Sequence, residues 1–347
     1  MAVPRRRLGQ TELSIPRLVF GATSLGNLFR EVSDATKHAI VEAWIANVDF
    51  PVVIDTAGKY GAGLSLEVIG RELTALGVNP AEVVISNKLA WRRVPLLTPE
   101  PTFEPGAWFG IQNDAVQDIS YEGILRCWEE GNQLLGKYNA QLVSVHDPDE
   151  YLAAARDPSD RDDRLHDIIE AYRALAELKS AGKVAGVGVG AKNWKTIEEL
   201  DAHCNFDWVM FANSLTLMKH PPALVKLFTS LADRQVGIIN SALFHGGFLT
   251  GGKFFDYRLV DAANAADRER LAWREKFWQT CQRFSVSPFD VGVAFGLSHP
   301  GVTAVALSSG QAERVPEHVR AVEQQMPVEF WEAMRREGLL SEDYPYL

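Results

Sequence analysis

The sequence predicts a (β/α)8 TIM barrel with a long loop after its third strand and an active site at the carboxyl ends of its strands. Eight short apolar runs alternate with helix-like segments along the whole chain, which is typical of buried parallel strands joined by helices. Polar residues stand at or near the carboxyl ends of several runs. A doubly wound open sheet is the alternative. Because no linker-like stretch interrupts the pattern, we expect residues 1–347 to form one domain.

The apolar runs are short enough for strands and rich in Val, Ile and Leu. The predicted strands are Leu18–Gly21, Val52–Asp55, Val83–Lys88, Gln141–His146, Val184–Val189, Trp208–Ala212, Val236–Ser241 and Thr303–Leu307. Capping residues such as Ser120 and terminating glycines such as Gly182 mark helix boundaries between them. The predicted helices are Ala35–Asn47 (capped by Asp34), Leu66–Leu76, Tyr121–Leu135, Leu165–Ser180, Thr196–Ala202, Pro222–Leu231, Ala266–Phe284 and Pro288–His299.

Two connections exceed the usual length of about 2–6 residues. The segment 91–119 is rich in proline and aromatic residues and follows Lys88, so we expect it to close over the site. Trp91, Trp108 and Phe109 are its candidate substrate contacts. The segment 147–167 is rich in Asp and Arg and is predicted to be a solvated surface loop.

The bulk composition narrows the class of protein. A net charge of -10 argues against nucleic acid and anionic membranes as partners. No apolar run reaches the ~18 residues of a membrane span, and we find no targeting segment. Three scattered cysteines form no zinc motif and suggest a reduced, cytoplasmic protein without a metal site. The composition does not indicate an oligomeric state.

Four polar residues near strand ends predict a proton-transfer site: Asp55, Tyr60, Lys88 and His146. A free tyrosine has a pKa of about 10, and a lysine within about 4–6 Å would lower it by stabilising the phenolate. Tyr60 would then be the general acid/base, Lys88 and Asp55 its tuning partners, and His146 the group that orients a substrate oxygen. This set lacks a redox group, which a cofactor would supply.

The chain resembles the aldo-keto reductase superfamily over nearly its whole length, and most closely its aldose 1-dehydrogenase branch, which includes L-fucose and D-threo-aldose dehydrogenases. The matching motifs are Asp55–Gly61 with Ser65 and Gly70, Ile85–Lys88, His146–Asp149 and Leu178–Val184. The resemblance implies a barrel, an extended NADP or NAD molecule and hydride transfer to or from a sugar or aldehyde. It also implies the roles given above for the four polar residues.

The resemblance further implies which residues contact the dinucleotide. They are Gly21, Ala22, Thr23, Asp55, Asn213, Ser241, Leu243, Ser308, Ser309, Gly310, Arg314, Glu317 and His318. The lysine that commonly binds the 2′-phosphate is Ser308 here, whereas Arg314 is kept, so the choice between NADP and NAD stays open. Glycines 186, 188 and 190 lie inside a strand and do not form a phosphate-binding turn.

Several positions depart from the family pattern. Leu66 replaces a glutamate, Gly190 and Ala191 replace the Ser-Asn pair that clamps the carboxamide, and Met210 replaces a glutamine. The stacking aromatic of the seventh strand falls at Asn240. We therefore expect the nicotinamide to be held by backbone groups and Asn213.

Three functions are compatible with these residues. The leading one is oxidation of an aldose at C1 to the lactone, with a small molecule as the only expected partner. The alternatives are an aldehyde or ketone reductase or dehydrogenase, including a pyridoxal-type enzyme, and a cofactor-sensing binding subunit. The presence of all four polar residues argues against the binding subunit.

Overall fold

A computed structural model describes residues 3–256 and 258–347. Eight parallel strands form a closed barrel, which confirms the predicted fold class. The strands are Leu18–Gly21, Val52–Ala57, Val83–Leu89, Leu142–His146, Gly186–Ala191, Trp208–Ala212, Gly237–Ser241 and Val302–Leu307. Each lies within two residues of its predicted bounds at either end, because a fully buried strand shows as a continuous apolar run.

Alternate residues of each strand face the barrel interior. Near the amino ends of the strands the interior is apolar and includes Val53, Val84 and Trp208. Leu8 and Ile15 join this cluster from an amino-terminal hairpin, in which Arg5–Arg7 pairs with Ser14–Pro16. The hairpin, which the sequence analysis did not predict, therefore contributes apolar side chains to the interior, and the polar residues lie toward the carboxyl ends.

Helices surround the barrel. They are Asp34–Asn47, Leu64–Ala75, Tyr121–Leu135, Pro148–Ala153, Pro158–Ser180, Trp194–Asp201, Pro222–Asp233, Ala265–Arg283, Pro288–Gly296, Val315–Ala321 and Val328–Arg336. The predicted cap Ser120 accepts a hydrogen bond from Gly123 N. The first helix is capped by Ser33, which accepts from Thr36 N, and the predicted cap Asp34 is its first residue.

The prediction of a surface loop over residues 147–167 is wrong. A short helix occupies Pro148–Ala153, and the long helix Pro158–Ser180 begins soon after it. Asp157 caps this long helix by accepting a hydrogen bond from Asp160 N, and Pro158 is its first residue. Many of the charged residues that suggested a loop lie on these helices, where carboxylates and guanidinium groups pair, as Asp160 and Arg164 do.

The long connection after the third barrel strand is partly regular. Trp91–Pro95 and Asn113–Gln117 form an antiparallel hairpin, and a single bridge joins Leu28 to Trp108. Phe103, Trp108 and neighbouring apolar residues form a small core of their own against Ala62. We call residues 91–119 the long loop. Among the described residues, none of the helices combines the length and apolar character needed to cross a bilayer.

Candidate active site

Asp55 and Lys88 form a buried ion pair inside the barrel. The strands that carry them are neighbours, and Lys88 Nζ lies 2.5 Å from Asp55 Oδ2 and 3.1 Å from the carbonyl oxygen of Thr56. Ser86 donates a 3.2 Å hydrogen bond to Asp55 Oδ1. Burial raises the pKa of the Asp55 carboxyl, and the neighbouring Lys88 ammonium opposes that rise. The lysine is thus held by two oxygens at the floor of the site.

Tyr60 lies over this lysine because of a tight turn after the second barrel strand. Gly61 and Gly63 adopt left-handed φ values of 63° and 85°. A Cβ atom on Gly61 would lie 2.4 Å from the carbonyl oxygen of Gly26, so the turn can approach the first-strand loop only with glycine there. The Lys88 ammonium lies 4.7 Å from the centroid of the Tyr60 ring. The turn therefore brings the phenol and the ammonium together.

His146 completes the group from the end of the fourth barrel strand. Its ring centroid lies 5.7 Å from that of Tyr60, in an edge-to-face arrangement. Burial lowers the pKa of His146 well below its ordinary value, although Asp147 opposes this. The imidazole is therefore neutral near pH 7, and its Nδ1 is buried without a hydrogen-bond partner among the described residues. A neutral ring suits hydrogen bonding to a substrate oxygen.

The glycines of the fifth strand make room inside the barrel. A Cβ on Gly188 would lie 2.5 Å from the indole of Trp208, and one on Gly190 would lie 2.9 Å from Lys88 Cδ. The Trp208 ring and the Lys88 stem fill the space that side chains at these positions would need. Glycine is thus required in this strand by packing inside the barrel.

A pocket opens over the four residues. Its apolar wall includes Leu28, Trp108 and Met210, and its polar wall includes Glu104 and Lys192. The Trp108 ring lies 5.8 Å from the Tyr60 ring. Of the other two aromatic candidates, Trp91 packs behind the pocket against Phe103, and the Phe109 side chain is outside the lining with 43% of the residue exposed. Trp108 thus lines the pocket and the other two do not, and substrate contact by any of the three stays a prediction.

Sequence reasoning missed a set of charged residues beside His146. Lys59 and Lys192 contact the carboxylates of Glu104, Asp147 and Glu150. The sequence pointed to this set only through adjacency: Lys59 directly precedes Tyr60, and Asp147 directly follows His146. The three carboxylates lie close enough together to hold a metal ion, but the Lys59 ammonium is within 2.8 Å of each of them.

The predicted phosphate segments meet where the first and eighth barrel strands pair. The hydroxyl groups of Thr23 and Ser308 lie 2.9 Å apart, and Ser24 donates a 2.8 Å hydrogen bond to the carbonyl oxygen of Ser309. A Cβ on Gly21 would lie 3.3 Å from Ser308 Cβ, so small side chains line the surface between residues 21–24 and 308–310, which we call the groove. Ala22 N bonds to Asp55 O and ties the groove to the catalytic strand.

Arginine side chains flank this groove. Arg314 precedes the helix Val315–Ala321, and its Nε lies 3.2 Å from Glu317 Oε2. Arg30, which the sequence analysis did not mark, donates a 3.1 Å hydrogen bond to the Gly310 carbonyl. His318 differs from the expectation of an adenine contact, because its ring is buried and stacks on Phe289 with centroids 5.2 Å apart.

Of the residues predicted to contact the nicotinamide part of the dinucleotide, only some have side chains that reach the pocket. Ser241 lines the pocket, but the Leu243 side chain is buried against Gly296. In the orientation that satisfies its amide, the Asn213 nitrogen lies 3.2 Å from Asp256 Oδ1 and 3.0 Å from Ala242 O, so it anchors the loop after the seventh strand. The Asn240 side chain points out of the barrel and donates to Leu215 O and Gly296 O, so it does not replace a stacking ring.

Together these residues fit an extended dinucleotide. Side chains at Gly21 and Gly310 would meet Ser308 Cβ at 3.3 Å and Arg30 Nη2 at 2.9 Å, and we expect Ser308, Ser309 and the two arginines to offer hydroxyl and cationic donors for phosphate. Ser241 and Gly190 lie at the pocket, beside Lys88. We therefore expect the dinucleotide to place its phosphates at the groove and its nicotinamide near the proton-transfer residues.

Comparison with known proteins agrees with this geometry. The model of the aldo/keto reductase family matches residues 17–336. A pyridoxal 4-dehydrogenase from Microbacterium luteolum is 28% identical over 98% of this chain and 99% of its own length. A D-threo-aldose 1-dehydrogenase from a Pseudomonas species is 29% identical over 68% of each chain. The solved structure of a glycerol dehydrogenase from Gluconobacter oxydans superposes with a TM-score of 0.70 at 18% identity, covering 99% of this chain and 98% of that one.

The family match spans nearly the whole barrel and includes the strands that carry Asp55, Lys88 and His146. The full-length relative is an oxidoreductase by name, and the solved structure has the same fold. The chain therefore belongs to the aldo/keto reductase family and is an NAD(P)-dependent oxidoreductase.

Proposed function

We propose that this protein oxidises the C1 position of an aldose, in its cyclic hemiacetal form, to the lactone. One observation carries the proposal: the pocket that contains Tyr60 and His146 is lined both by the Trp108 indole and by charged side chains, among them Glu104 and Lys192. A sugar ring has the matching surfaces, because its C–H face packs on aromatic rings while its hydroxyl groups need polar partners.

The proton chemistry is divided among four residues. Tyr60, as the phenolate, removes the proton of the C1 hydroxyl as the C1–H bond breaks. Lys88, 4.7 Å from the ring centroid, stabilises the phenolate, and Asp55 holds Lys88 in place. His146, neutral and buried, donates or accepts one hydrogen bond with the substrate oxygen. The bound nicotinamide dinucleotide supplies the acceptor for the hydride that leaves C1.

The expected substrate class is also supported by a relative named for it, the D-threo-aldose 1-dehydrogenase, which shares 29% identity over 68% of this chain. The residues of the groove are compatible with both NAD and NADP. Arg314 is available for a 2′-phosphate, whereas the position at which the family commonly has a lysine is Ser308.

The second candidate substrate is pyridoxal. The observation that favours it is the relative named pyridoxal 4-dehydrogenase, which matches 98% of this chain. Pyridoxal carries a hydroxymethyl group beside its aldehyde and also closes to a cyclic hemiacetal. The same four residues could therefore serve the oxidation of either molecule, and the side chains that line the pocket would determine which substrate is preferred.

A spectrophotometric screen tests the proposal. The absorbance of the reduced nicotinamide would be followed with D-arabinose, L-fucose, pyridoxal and a simple secondary alcohol, each with NAD and with NADP. We expect an aldose to give the highest kcat/KM. A screen in which pyridoxal alone is oxidised would replace the first candidate by the second, and turnover of the simple alcohol alone would contradict both.

A further inference from the structure

Five side chains beside His146 form one connected set of charges, which we call the charged cluster: Lys59, Glu104, Asp147, Glu150 and Lys192. Lys59 Nζ lies 2.7 Å from Asp147, 2.8 Å from Glu104 and 2.8 Å from Glu150. Lys192 Nζ lies 2.6 Å from Glu150 and 3.2 Å from Glu104. The proton transfer described above uses none of these five groups, so another role must account for their position at the pocket.

The members of the charged cluster differ in how far the pocket can reach them. Lys59 and Asp147 also line the pocket, but their side chains are only 2% and 3% exposed, so a substrate can reach little of either one. Glu104 and Lys192 are 19% and 25% exposed, and both line the pocket. Glu150 belongs to the cluster but does not line the pocket. Glu104 and Lys192 are therefore the two members placed to meet a substrate.

Glu104 is also fixed relative to the apolar wall. Its Oε1 faces the two lysines, while its Oε2 accepts a 2.9 Å hydrogen bond from Trp108 Nε1. The carboxylate therefore lies next to the edge of the Trp108 indole, and both side chains line the pocket. A ring that packs on Trp108 with its reacting carbon at Tyr60 and His146 presents its next substituents to Glu104 and Lys192.

We propose that Glu104 and Lys192 form a specificity subsite for the hydroxyl group on the carbon next to the reacting carbon. A carboxylate accepts from a hydroxyl and an ammonium group donates to one, so this pair can satisfy both functions of the same group. The proposal rests on the proposed aldose dehydrogenase activity and deepens it. Three carboxylates and two ammonium groups leave the charged cluster net negative, so the subsite favours neutral sugars over phosphorylated or acidic ones.

The test compares D-arabinose with 2-deoxy-D-ribose, which is the same pentose without the C2 hydroxyl. A hydrogen bond to a charged group contributes about 1.5–3 kcal/mol, so the wild-type enzyme should prefer D-arabinose by roughly 10–100-fold in kcat/KM. Glu104→Gln and Lys192→Met should each reduce this preference several-fold, mainly through the KM for D-arabinose. Glu150→Gln is the matched control, because it alters the same charged cluster outside the pocket and should keep the wild-type preference.

Dinucleotide affinity, measured by protein fluorescence, should be the same in all three variants and shows that the fold is intact. Turnover of D-arabinose with an unchanged preference in Glu104→Gln and Lys192→Met would overturn the subsite and leave the proposed function standing. The subsite is equally overturned if Glu150→Gln loses the preference to the same extent. The lost preference would then result from a general disturbance of the charged cluster and not from contacts of Glu104 and Lys192 with the C2 hydroxyl. Failure of the wild type to oxidise any aldose would instead refute the proposed function.

Discussion

Lys59 Nζ lies 2.7 Å from Asp147 Oδ2, and this ion pair joins the residue before Tyr60 to the residue after His146. Both side chains are almost fully buried. Burial alone would lower the pKa of Lys59, but Asp147 and Glu104 raise it above its ordinary value. The pair links the turn after the second barrel strand to the end of the fourth, so it helps to set the spacing of Tyr60 and His146.

Replacing Lys59 by Met should destabilise the protein strongly. The substitution leaves the Asp147 carboxylate buried without its nearest cation, and removal of one partner of a buried pair costs about 3–5 kcal/mol. Urea unfolding would measure the change. Arg7→Met is the control, because the Arg7–Glu12 pair is exposed and should contribute at most about 1 kcal/mol. Equal stability of the Lys59 variant and the wild type would show that the buried pair is not needed.

Tyr60→Phe should bind dinucleotide normally and lose turnover by about 10²–10⁴-fold. The substitution removes the transferable proton but keeps the ring that packs near Trp108. Tyr121→Phe serves as the control, since that hydroxyl is bonded to Glu177 on the helix layer. Retention of more than about a tenth of the wild-type rate would exclude Tyr60 as the essential acid/base.

Lys88→Met should move the acid limb of the pH–rate profile for oxidation to higher pH. A neighbouring cation favours the phenolate, so its loss makes the base harder to ionise. The profile of kcat/KM against pH would report the shift, with the exposed Lys226→Met as the control. Superimposable profiles for the Lys88 variant and the wild type would contradict this role.

Arg314→Ala should weaken NADP binding roughly 10–100-fold and NAD binding much less, because a charge-assisted hydrogen bond to the 2′-phosphate would be lost. Fluorescence titration of both dinucleotides would measure the effect. Arg30→Ala is the comparison variant, since Arg30 bonds to the Gly310 carbonyl and should affect both cofactors alike. Equal losses in the Arg314 variant would place this side chain at the part of the molecule that NAD and NADP share.

Stability should fall as the pH is lowered from about 6.5 toward 4. Burial lowers the pKa of His299 to about 4, and burial lowers that of His318 to about 4 as well. Between these values and about 6.5 the unfolded chain binds protons that the folded chain does not, so the stabilisation present above pH 6.5 is lost on acidification. Each histidine contributes at most about 1.4 kcal/mol per pH unit.

Unfolding midpoints measured across this range should show that His299→Gln has a flatter pH dependence than the wild type. His166 is exposed, so His166→Gln should keep the full dependence. A wild-type midpoint that does not change between pH 7 and pH 5 would be inconsistent with buried neutral histidines.

The sequence by itself determined the barrel and its candidate proton-transfer residues. Buried parallel strands are continuous apolar runs, and polar residues that follow such runs meet at one end of a barrel, so Asp55, Lys88 and His146 could be found locally. The segment 147–167 shows where this local signal stops. Its charges resembled those of a solvated loop, although Asp157 and Pro158 carry a helix-start signal.

Only the tertiary structure decided which face each side chain takes and which distant charges meet. Asn240 occupies the position of the family's stacking aromatic, but its side chain lies toward the helix layer, where it donates to the Leu215 and Gly296 carbonyl oxygens. Glu104, Lys59 and Lys192 come from three separate segments, and they meet because closure of the barrel brings the long loop, the turn at Tyr60 and the fifth strand together. Such contacts depend on the packing of elements far apart in the chain, which no local pattern encodes.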